Sequence, residues 1–313
     1  MPETHLITGG AGFIGSHLAA QLLRDGHHVR VIDNLLTGKR ANLDYLESLN
    51  GDYTHYHTDI TDLDALIPVF AGADYVYHHA ALPSVPLSID DPLTTHVNCA
   101  TGTLNVLMAA QQAGVKRVVY ASSSAVYGDG ESDTAHETAL LAPMSPYGAA
   151  KLAGEHYCQV FNTVYNLETV VFRYFNVFGP RQDPASAYAA VIPKFITAML
   201  DGTRPVIYGN GEQSRDFTYV DNIVQGNVLA AKSSDAAGQT MNMATGKSIT
   251  LLELVTHINA IAGTTIDPIH TDPRPGDILH SRAAIERATD VLDFSPPVDF
   301  ATGLQKTIAY YQA

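Results

Sequence analysis

The stretch Thr8-Gly-Gly-Ala-Gly-Phe-Ile-Gly15 decides the fold of this 313-residue chain. It follows a predicted strand, His5–Thr8, and it opens a helical pattern near Phe13. Glycines spaced GxxGxxG permit a tight turn, close approach of the backbone to a diphosphate, and close packing of the helix on the strand. The unpaired N–H groups of the helix N-terminus then face the phosphates. A flexible turn is the alternative, but the flanking pattern predicts a dinucleotide-binding βαβ unit.

The rest of the first half repeats this alternation of short β-branched runs and longer helical patterns, which is typical of βαβ units on a parallel sheet. The predicted strands are residues 5–8, 28–33, 53–58, 75–78, 117–121 and 169–172. Helices are predicted at about 13–25, 39–48, 61–70, 93–113 and 146–165. Since crossovers between parallel strands are right-handed, we expect an α/β fold with a Rossmann-type doubly wound parallel sheet.

The pattern loosens after residue 176, where prolines interrupt it and short helices alternate with single strands. Helices are predicted near 188–200, 221–232, 250–261 and 300–311, and strands near 205–208, 239–243 and 266–270. We therefore expect a dinucleotide-binding domain over residues 1–176 and a smaller C-terminal α/β substrate lobe over residues 177–313. Some exchange of chain between the two lobes is also expected.

Composition narrows the class of protein. The chain has 18 Lys and Arg against 32 Asp and Glu, a net charge of −14, and no basic run, which argues against nucleic-acid or acidic-membrane partners. Hydrophobic residues make up 46%, typical of a globular interior, yet no apolar stretch approaches the ~20 residues that span a bilayer. The only two cysteines, Cys99 and Cys158, favour a reduced compartment. A soluble, cytoplasmic protein is expected.

Two acidic residues follow predicted strands. Asp33 lies eighteen residues beyond Gly15, directly after Val29-Arg-Val-Ile32. A carboxylate there accepts hydrogen bonds from an adenosine ribose and repels a 2′-phosphate, which favours NAD over NADP. The alternative is an Asp that caps the following turn. Asp59 is a second candidate, facing the adenine, or equally a helix N-cap residue.

A Tyr–Lys pair supplies the candidate chemistry. Tyr147 and Lys151, spaced i and i+4, lie one turn apart on one face of a predicted helix. A tyrosine is a poor base at its usual pKa of about 10, but a fixed cation stabilises its phenolate. The serines at positions 122–124 follow the strand 117–121, where ligands bind in open α/β sheets. A structural helix and plain loop serines are the alternative interpretations.

At this point a resemblance becomes visible. The stretches TGGAGFIG, Asp33-Asn34, His79-Ala-Ala81, SSSAVYG, YGAAK, RYFNVFGPR (173–181), GNGEQSRDFTYVDN (209–222) and PRPGDI (273–278) occur in order along the chain. Together they resemble the extended short-chain dehydrogenase/reductases, and more narrowly the nucleotide-sugar epimerases. The resemblance implies a Rossmann lobe for NAD and a C-terminal lobe for a nucleoside-diphosphate sugar.

The resemblance also implies site residues. Tyr147 is the expected acid/base, Lys151 its partner and Ser123 the catalytic hydroxyl, with Ser122 and Ser124 as alternatives. The expected cofactor residues are Gly9, Gly12, Phe13, Ile14, Gly15, Asp33, Asn34, Asp59, Ile60, Ala80, Ala81, Asn98, Ser122, Tyr147, Lys151 and Tyr174. The expected substrate residues are Ser84, Ser123, Ser124, Tyr147, Asn176, Tyr208, Arg215, Arg274 and Ser281.

The same resemblance separates reaction classes. Related 4,6-dehydratases carry an Asp-Glu pair after the catalytic hydroxyl residue, whereas Ser124-Ala125 stands here. The expected reaction is therefore 4-epimerisation of a UDP-hexose through a 4-keto sugar, with Tyr147 moving the 4-OH proton. Ser281 resembles a small residue that leaves room for an N-acetyl group, so both UDP-glucose and UDP-N-acetylglucosamine are candidate substrates. A UDP-glucuronate decarboxylase or another sugar-nucleotide-modifying enzyme of this fold, and a non-catalytic NAD-sensing module, are the alternatives.

Two further expectations concern features outside the cleft. The 14 histidines include His27-His28 and His78-His79, but no carboxylate or Cys stands near them at ligand spacing, so structural roles and no metal are expected. The helices near 93–113 and 146–165 carry apolar faces that the sheet covers on one side only. The family resemblance implies that they form a four-helix bundle across a homodimer.

Overall fold

Seven parallel strands form the central sheet of the computed structural model, which describes residues 2–130, 133–184, 190–273 and 279–313. From one edge to the other the strands are Thr240–Met243, Glu168–Tyr174, Arg117–Ser123, Tyr75–His78, Thr4–Thr8, His28–Ile32 and Tyr53–Tyr56. The Rossmann-type doubly wound fold expected from the sequence is confirmed.

The order of the strands sets the position of the ligand cleft. From Thr4–Thr8 the chain proceeds outward through two strands to one edge, and then crosses back to Tyr75–His78 on the other side. The helices that follow these two adjacent strands therefore diverge, which opens a crevice at the carboxyl ends of the strands. The glycine-rich stretch begins at the end of Thr4–Thr8, so it lies at this switch point.

Alternate residues along each strand feed two cores. Ile7 and Val31 pack into the core on one face, with helix Phe13–Arg24, whereas Leu6 and Ile32 pack into the core on the other. Because both faces of a doubly wound sheet are covered, its strands are apolar at nearly every position. A third core, with Phe178 and Phe195 among its members, lies in the C-terminal lobe.

The helices agree with the predicted ones to within a few residues, apart from the region 85–113 and helix Glu286–Leu292, which was not predicted. They span Phe13–Arg24, Arg40–Ser48, Leu63–Phe70, Val85–Asp90, Pro92–His96, Gly102–Gln112, Pro146–Val164, Val191–Leu200, Val220–Lys232, Leu251–Ala262, Glu286–Leu292 and Phe300–Gln312. The predicted helix 93–113 contains a π-helical turn, Val97–Thr101. Short 3₁₀ turns occur at Ser124–Val126 and Ser234–Ala236. Within the described residues, no helix has the length and apolar character that crossing a membrane requires.

The remaining strands are short. Ile249–Thr250, Ser214–Arg215, His280–Ala283 and Thr134–Ala135 form a four-stranded sheet, while Thr218–Tyr219 pairs with Val177–Phe178 and Ile269–Thr271 with Val206–Tyr208. One assignment is corrected: the strand predicted near 239–243 was grouped with the C-terminal lobe, but Thr240–Met243 pairs in parallel with Glu168–Tyr174. Met241 and Met243 are fully buried there, which extends the apolar sheet by one strand.

A buried histidine makes the stability of this fold sensitive to acid. His5 is fully buried between Tyr75 and Tyr77, and burial, reinforced by nearby His27, lowers the pKa of its imidazole to about 3. The unfolded chain takes up this proton near pH 6.5, whereas the folded chain does so only near pH 3. Stability is therefore lost as the pH falls through this window, by up to roughly 1.4 kcal/mol per pH unit from His5 alone.

We expect urea unfolding between pH 7 and pH 4 to show this loss, and a His5→Gln variant to show a slope smaller by about one proton. The exposed His28 provides a matched control, since a His28→Gln variant keeps the buried imidazole. Parallel pH dependences for wild type and His5→Gln would contradict the assignment.

Candidate active site

A cleft of about 510 Å³ opens at the carboxyl ends of the central strands. Every predicted cofactor residue except Asp59 contributes to its wall. Four predicted substrate residues line it as well, namely Ser123, Ser124, Tyr147 and Asn176. The fold thus brings the glycine-rich stretch and the Tyr–Lys pair to one cavity, although they are more than a hundred residues apart in the chain.

The glycine-rich turn leaves no room for side chains. Gly9 has a φ of +73°, and a Cβ on it would lie 2.7 Å from the Ala80 nitrogen. A Cβ on Gly15 would lie 2.3 Å from the Gly9 carbonyl oxygen. The helix that starts at Phe13 has Gly12 as its N-cap residue and no side-chain cap, so its first N–H groups are available to an anion. This cradle fits the diphosphate of NAD.

Asp33 is held in place by the backbone. Its two carboxylate oxygens accept hydrogen bonds from the Ala11 and Leu35 N–H groups at 2.9 and 2.8 Å. Burial raises the pKa of this carboxyl and the two hydrogen bonds oppose the shift. Asp33 is 8% exposed and that exposure is toward the cleft, where it suits an acceptor for ribose hydroxyls.

Asp59 lies behind this part of the cleft, outside its lining. It accepts hydrogen bonds from the Thr61 N–H and hydroxyl, both at 2.8 Å, and from Asn34 Nδ2 at 2.8 Å. Burial acts to raise the pKa of the Asp59 carboxyl, but the three hydrogen bonds together have the larger, opposite effect. The pKa is therefore lowered. The helix N-cap alternative for Asp59 is wrong, because Asp62 is the N-cap residue of helix Leu63–Phe70. Asp59 caps the turn at Thr61 instead, and its adenine contact stays a prediction.

The helix that carries the Tyr–Lys pair begins where its sequence specifies. Ser145 is the N-cap residue, with its Oγ accepting a hydrogen bond from the Gly148 N–H at 3.1 Å, and Pro146 occupies the first helical position. A Cβ on Gly148 would lie 2.6 Å from the Ala125 carbonyl oxygen, so the helix packs directly on the segment after the serines. Tyr147 therefore lies in the first turn of the helix, at the carboxyl ends of the central strands.

Tyr147 and Lys151 are both buried. Lys151 is 2% exposed, its Nζ donates to the Ala121 carbonyl oxygen at 2.8 Å, and it lies 6.0 Å from the centre of the Tyr147 ring. Burial lowers the pKa of Lys151, while Cys99, Cys158 and Glu155 act in the opposite direction. Burial raises the pKa of Tyr147, and a hydrogen bond with the Ser123 side chain lowers it.

The three serines have different surroundings. Ser122 Oγ donates to a buried carboxylate oxygen of Glu155 at 2.5 Å. Ser123 accepts a hydrogen bond from the Ala125 N–H at 3.2 Å and also reaches Tyr147. Ser124 starts the 3₁₀ turn and lines the cleft. Of the three, Ser123 is the one whose side chain interacts with the Tyr147 phenol, and its role as the catalytic hydroxyl stays a prediction.

Among the predicted substrate residues of the C-terminal part of the chain, those that the structure describes lie outside the cleft lining, except for Asn176. Asn176, with a φ of +34°, donates from Nδ2 to the Asp216 carbonyl oxygen at 3.2 Å. Arg215 and Ser281 are register partners in adjacent strands, and neither they nor Ser84 and Tyr208 belong to the described lining of the cleft. Arg274 lies outside the described residues. The substrate roles of these side chains stay predictions.

Several lining residues escaped the sequence analysis. Lys39 forms an ion pair with Asp183 at 2.7 Å, which joins the loop after the second strand to the C-terminal lobe across the cleft. Arg181 stacks on Tyr45 with its guanidinium 4.4 Å from the ring centre, and Asn42 Nδ2 donates to the Ala11 carbonyl oxygen at 2.8 Å. A motif marks only Arg181, in GPR; nothing in the local sequence marks the others.

The histidines near the central sheet contact protein side chains. His78 lies between the hydroxyls of Thr8 and Thr103, at 2.7 and 2.9 Å. Among the described residues, Glu3, His5 and His27 hold ligand-type atoms within 4.8 Å of one another, at the amino end of the sheet, away from the cleft. Lys116 lies 3.6 Å from the Glu3 carboxylate. We assign no metal to this group, and the absence of a metal stays a prediction.

Comparison with known proteins identifies the relatives of this chain. The family described as the NAD dependent epimerase/dehydratase family matches residues 5–244. A curated UDP-glucose 4-epimerase of Mycolicibacterium smegmatis is 37% identical over 310 residues, covering 98% of each chain.

Solved structures agree. A UDP-N-acetylglucosamine 4-epimerase from Methanobrevibacter ruminantium M1, in complex with UDP-N-acetylmuramic acid, has a TM-score of 0.94 and 43% identity, with 100% of this chain and 99% of that chain covered. A UDP-glucuronic acid 4-epimerase variant from Bacillus cereus, in complex with a fluorinated UDP-glucuronic acid and NAD, has a TM-score of 0.91 and 33% identity, with 99% of both chains covered. The expected resemblance and the NAD cofactor are confirmed, and the chain belongs to the NAD dependent epimerase/dehydratase family.

Proposed function

We propose that this chain is an NAD-dependent UDP-sugar 4-epimerase that interconverts UDP-glucose with UDP-galactose and UDP-N-acetylglucosamine with UDP-N-acetylgalactosamine. The enzyme class is that of its relatives, which act on several UDP-sugars. The observation that carries the proposal is the meeting of Ser123, Tyr147 and Lys151 in one cleft with the glycine-rich turn, while Ser124-Ala125 stands where related dehydratases carry their Asp-Glu pair.

The residues of the cleft divide the work. When bound, NAD would supply the hydride acceptor for C4 of the sugar and, once reduced, the hydride donor to the 4-keto carbon. The helix N-terminus at Phe13 would hold the cofactor diphosphate, and Asp33 would accept hydrogen bonds from its adenosine ribose. Tyr147 takes the 4-OH proton as its phenolate and later returns it. Lys151 stabilises the phenolate, and Ser123 holds the reacting oxygen in place.

The choice of sugar concerns two residues of the C-terminal lobe, Arg215 and Ser281. Ser281 lies beside Arg215 in the paired strands of the C-terminal lobe. A serine there leaves space next to the C2 substituent, and Arg215 offers a fork of donors that matches phosphate oxygens. We therefore propose that the pocket accepts a hydroxyl or an N-acetyl group at C2.

The test is an activity screen with purified protein. Separate incubations with UDP-galactose, UDP-N-acetylgalactosamine and UDP-glucuronate are followed by NMR of the C4 proton. We expect C4 epimers from the first two. Carbon dioxide from UDP-glucuronate would support the decarboxylase instead, and tight NAD binding without turnover of any sugar nucleotide would support a non-catalytic module.

We further propose that the protein is a homodimer joined by a four-helix bundle. Large apolar side chains are exposed on the helices before and after strand Arg117–Ser123, among them Ile89 at 63%, Leu93 at 72% and Val164 at 64%. Exposed apolar patches of this kind mark association surfaces, and two-fold dimers are the commonest oligomers.

Light scattering should give twice the mass of one chain, and Leu93→Glu should give monomers. Leu140, which is 90% exposed, lies outside these helices, so a Leu140→Glu variant should remain dimeric.

A further inference from the structure

A buried ion pair lies behind the Tyr–Lys pair. Glu155 and Arg173 have side chains that are 6% and 5% exposed, and they are joined by hydrogen bonds from Arg173 Nη2 at 2.7 Å and from its Nε at 3.0 and 3.2 Å. Burying two charges is costly, and such a pair often stabilises a protein no more than apolar residues would. The position of this pair is therefore more informative than its contribution to stability.

Glu155 is on the face of the helix that carries the proposed chemistry, one turn beyond Lys151 and two turns beyond Tyr147. Its Oε1 accepts the hydrogen bond from Ser122 Oγ. Ser122 stands between Ala121, whose carbonyl oxygen accepts from Lys151, and Ser123, which reaches Tyr147. The Glu155 carboxylate thus connects the helix to Ser122 at the end of strand Arg117–Ser123. Ser122 lies between Ala121 and Ser123, the two residues of the strand that contact Lys151 and Tyr147.

The other end of the pair is equally fixed. Arg173 Nη1 donates to the Tyr127 hydroxyl at 2.9 Å, and that hydroxyl donates to Asn242 Oδ1 at 2.7 Å. The guanidinium also lies 4.8 Å from the centre of the Tyr127 ring. Because Asn242 belongs to the edge strand Thr240–Met243, the network connects the catalytic helix with three strands of the central sheet.

We propose that Glu155 is a positioning residue for the Tyr147–Lys151 pair, acting through the Ser122–Glu155–Arg173 hydrogen bonds that fix the strand end holding Lys151 and Ser123. This inference rests on the proposed epimerase function. Glu155 does not belong to the described lining of the cleft, whereas its neighbours Ser122 and Lys151 do. It also places a carboxylate near the buried ammonium, which must stay charged to stabilise a phenolate.

The decisive variant is Ser122→Ala, because it removes one hydrogen bond to Glu155 and leaves the buried ion pair intact. The matched control is Thr169→Val, which removes a buried hydroxyl that donates to the Cys158 carbonyl oxygen of the same helix at 2.9 Å, far from Tyr147. Both variants lose one strand-to-helix hydrogen bond. Glu155→Gln is a third variant, informative if it folds, because it keeps an acceptor for Ser122 and removes the charge.

We expect Ser122→Ala to lower kcat at least about tenfold, since small misplacements of reacting groups cost up to about 10²-fold. Its KM for the UDP-sugar should change less than about twofold, because the reacting pair is displaced and the substrate contacts are not. The kcat values are compared at saturating NAD, since Ser122 also lines the cleft. Thr169→Val should show a similar fall in melting temperature with kcat nearly unchanged. A crystal structure of Ser122→Ala should show Lys151 Nζ displaced from the Ala121 carbonyl oxygen.

Unchanged kcat in Ser122→Ala, or equal losses of kcat in both variants, would overturn the proposal, as would a Ser122→Ala structure that keeps both the Lys151–Ala121 and the Ser123–Tyr147 contacts. Wild-type protein without turnover of any UDP-sugar would overturn the proposed function instead. The structural comparison of the variants still decides the positioning role in that case.

Discussion

A Tyr147→Phe variant is expected to lose UDP-sugar epimerisation by about 10²–10⁴-fold, the usual contribution of a general acid or base. The substitution removes only the phenol oxygen, so the aromatic ring still fills its place beside Cys99 and Ala150. Lys151 keeps its hydrogen bond to the Ala121 carbonyl oxygen, and the glycine-rich turn is untouched. The NAD affinity and the KM for the sugar nucleotide should therefore change little, while kcat falls.

The measurement is a kcat and KM determination with NMR or a coupled assay, together with titration of NAD. The matched control is Tyr77→Phe, which removes the hydroxyl of a fully buried tyrosine that contacts His5 Nδ1 at 3.2 Å, remote from the cleft. That variant should lose some stability and keep its kcat. Turnover by Tyr147→Phe at the wild-type rate would refute the acid/base role.

The motifs of the cofactor site could be predicted from the sequence because each of them follows a strand of the parallel sheet. The glycine-rich turn, Asp33 and the Tyr–Lys helix each carry a local signal, and each follows a strand of a parallel sheet. Since the carboxyl ends of parallel strands meet at one edge, the placement of local motifs on strands predicts their meeting in space. The cleft lining confirms this convergence for the cofactor side of the site, although the roles of the individual residues stay predictions.

Pairing and cross-lobe contacts were harder to predict. A four-residue strand such as Thr240–Met243 carries no local sign that its partner is Glu168–Tyr174 in the central sheet. The π-helical turn Val97–Thr101 interrupts a longer helical segment. The spacing of apolar residues that predicts a helix does not show where such a turn will occur. The Lys39–Asp183 ion pair joins residues that are ordinary surface charges in sequence. Tertiary context decided each of these.

A Gly15→Ala variant is expected to lose most of its NAD affinity, by at least about tenfold, because the helix N-terminus can no longer pack against the turn that presents its N–H groups. The added Cβ would lie 2.3 Å from the Gly9 carbonyl oxygen and 2.9 Å from Gly10 Cα, so backbone must move. Gly9 cannot yield freely, since it is itself wedged against Ala80. We expect a stability loss of about 1–3 kcal/mol, which is usual for overpacking.

Two more glycines make this a graded test. A Cβ on Gly12 would lie 3.0 Å from the Gly9 carbonyl oxygen, which a small shift relieves, and a Cβ on Gly130 would meet no atom within 4 Å. NAD affinity and melting temperature should therefore fall in the order Gly130→Ala, Gly12→Ala, Gly15→Ala, with the first indistinguishable from wild type. Calorimetric titration of NAD and thermal unfolding measure both quantities. Equal NAD affinity in all three variants would mean that the turn does not hold the diphosphate, because the Gly15 Cβ would then displace the turn without any effect on NAD binding.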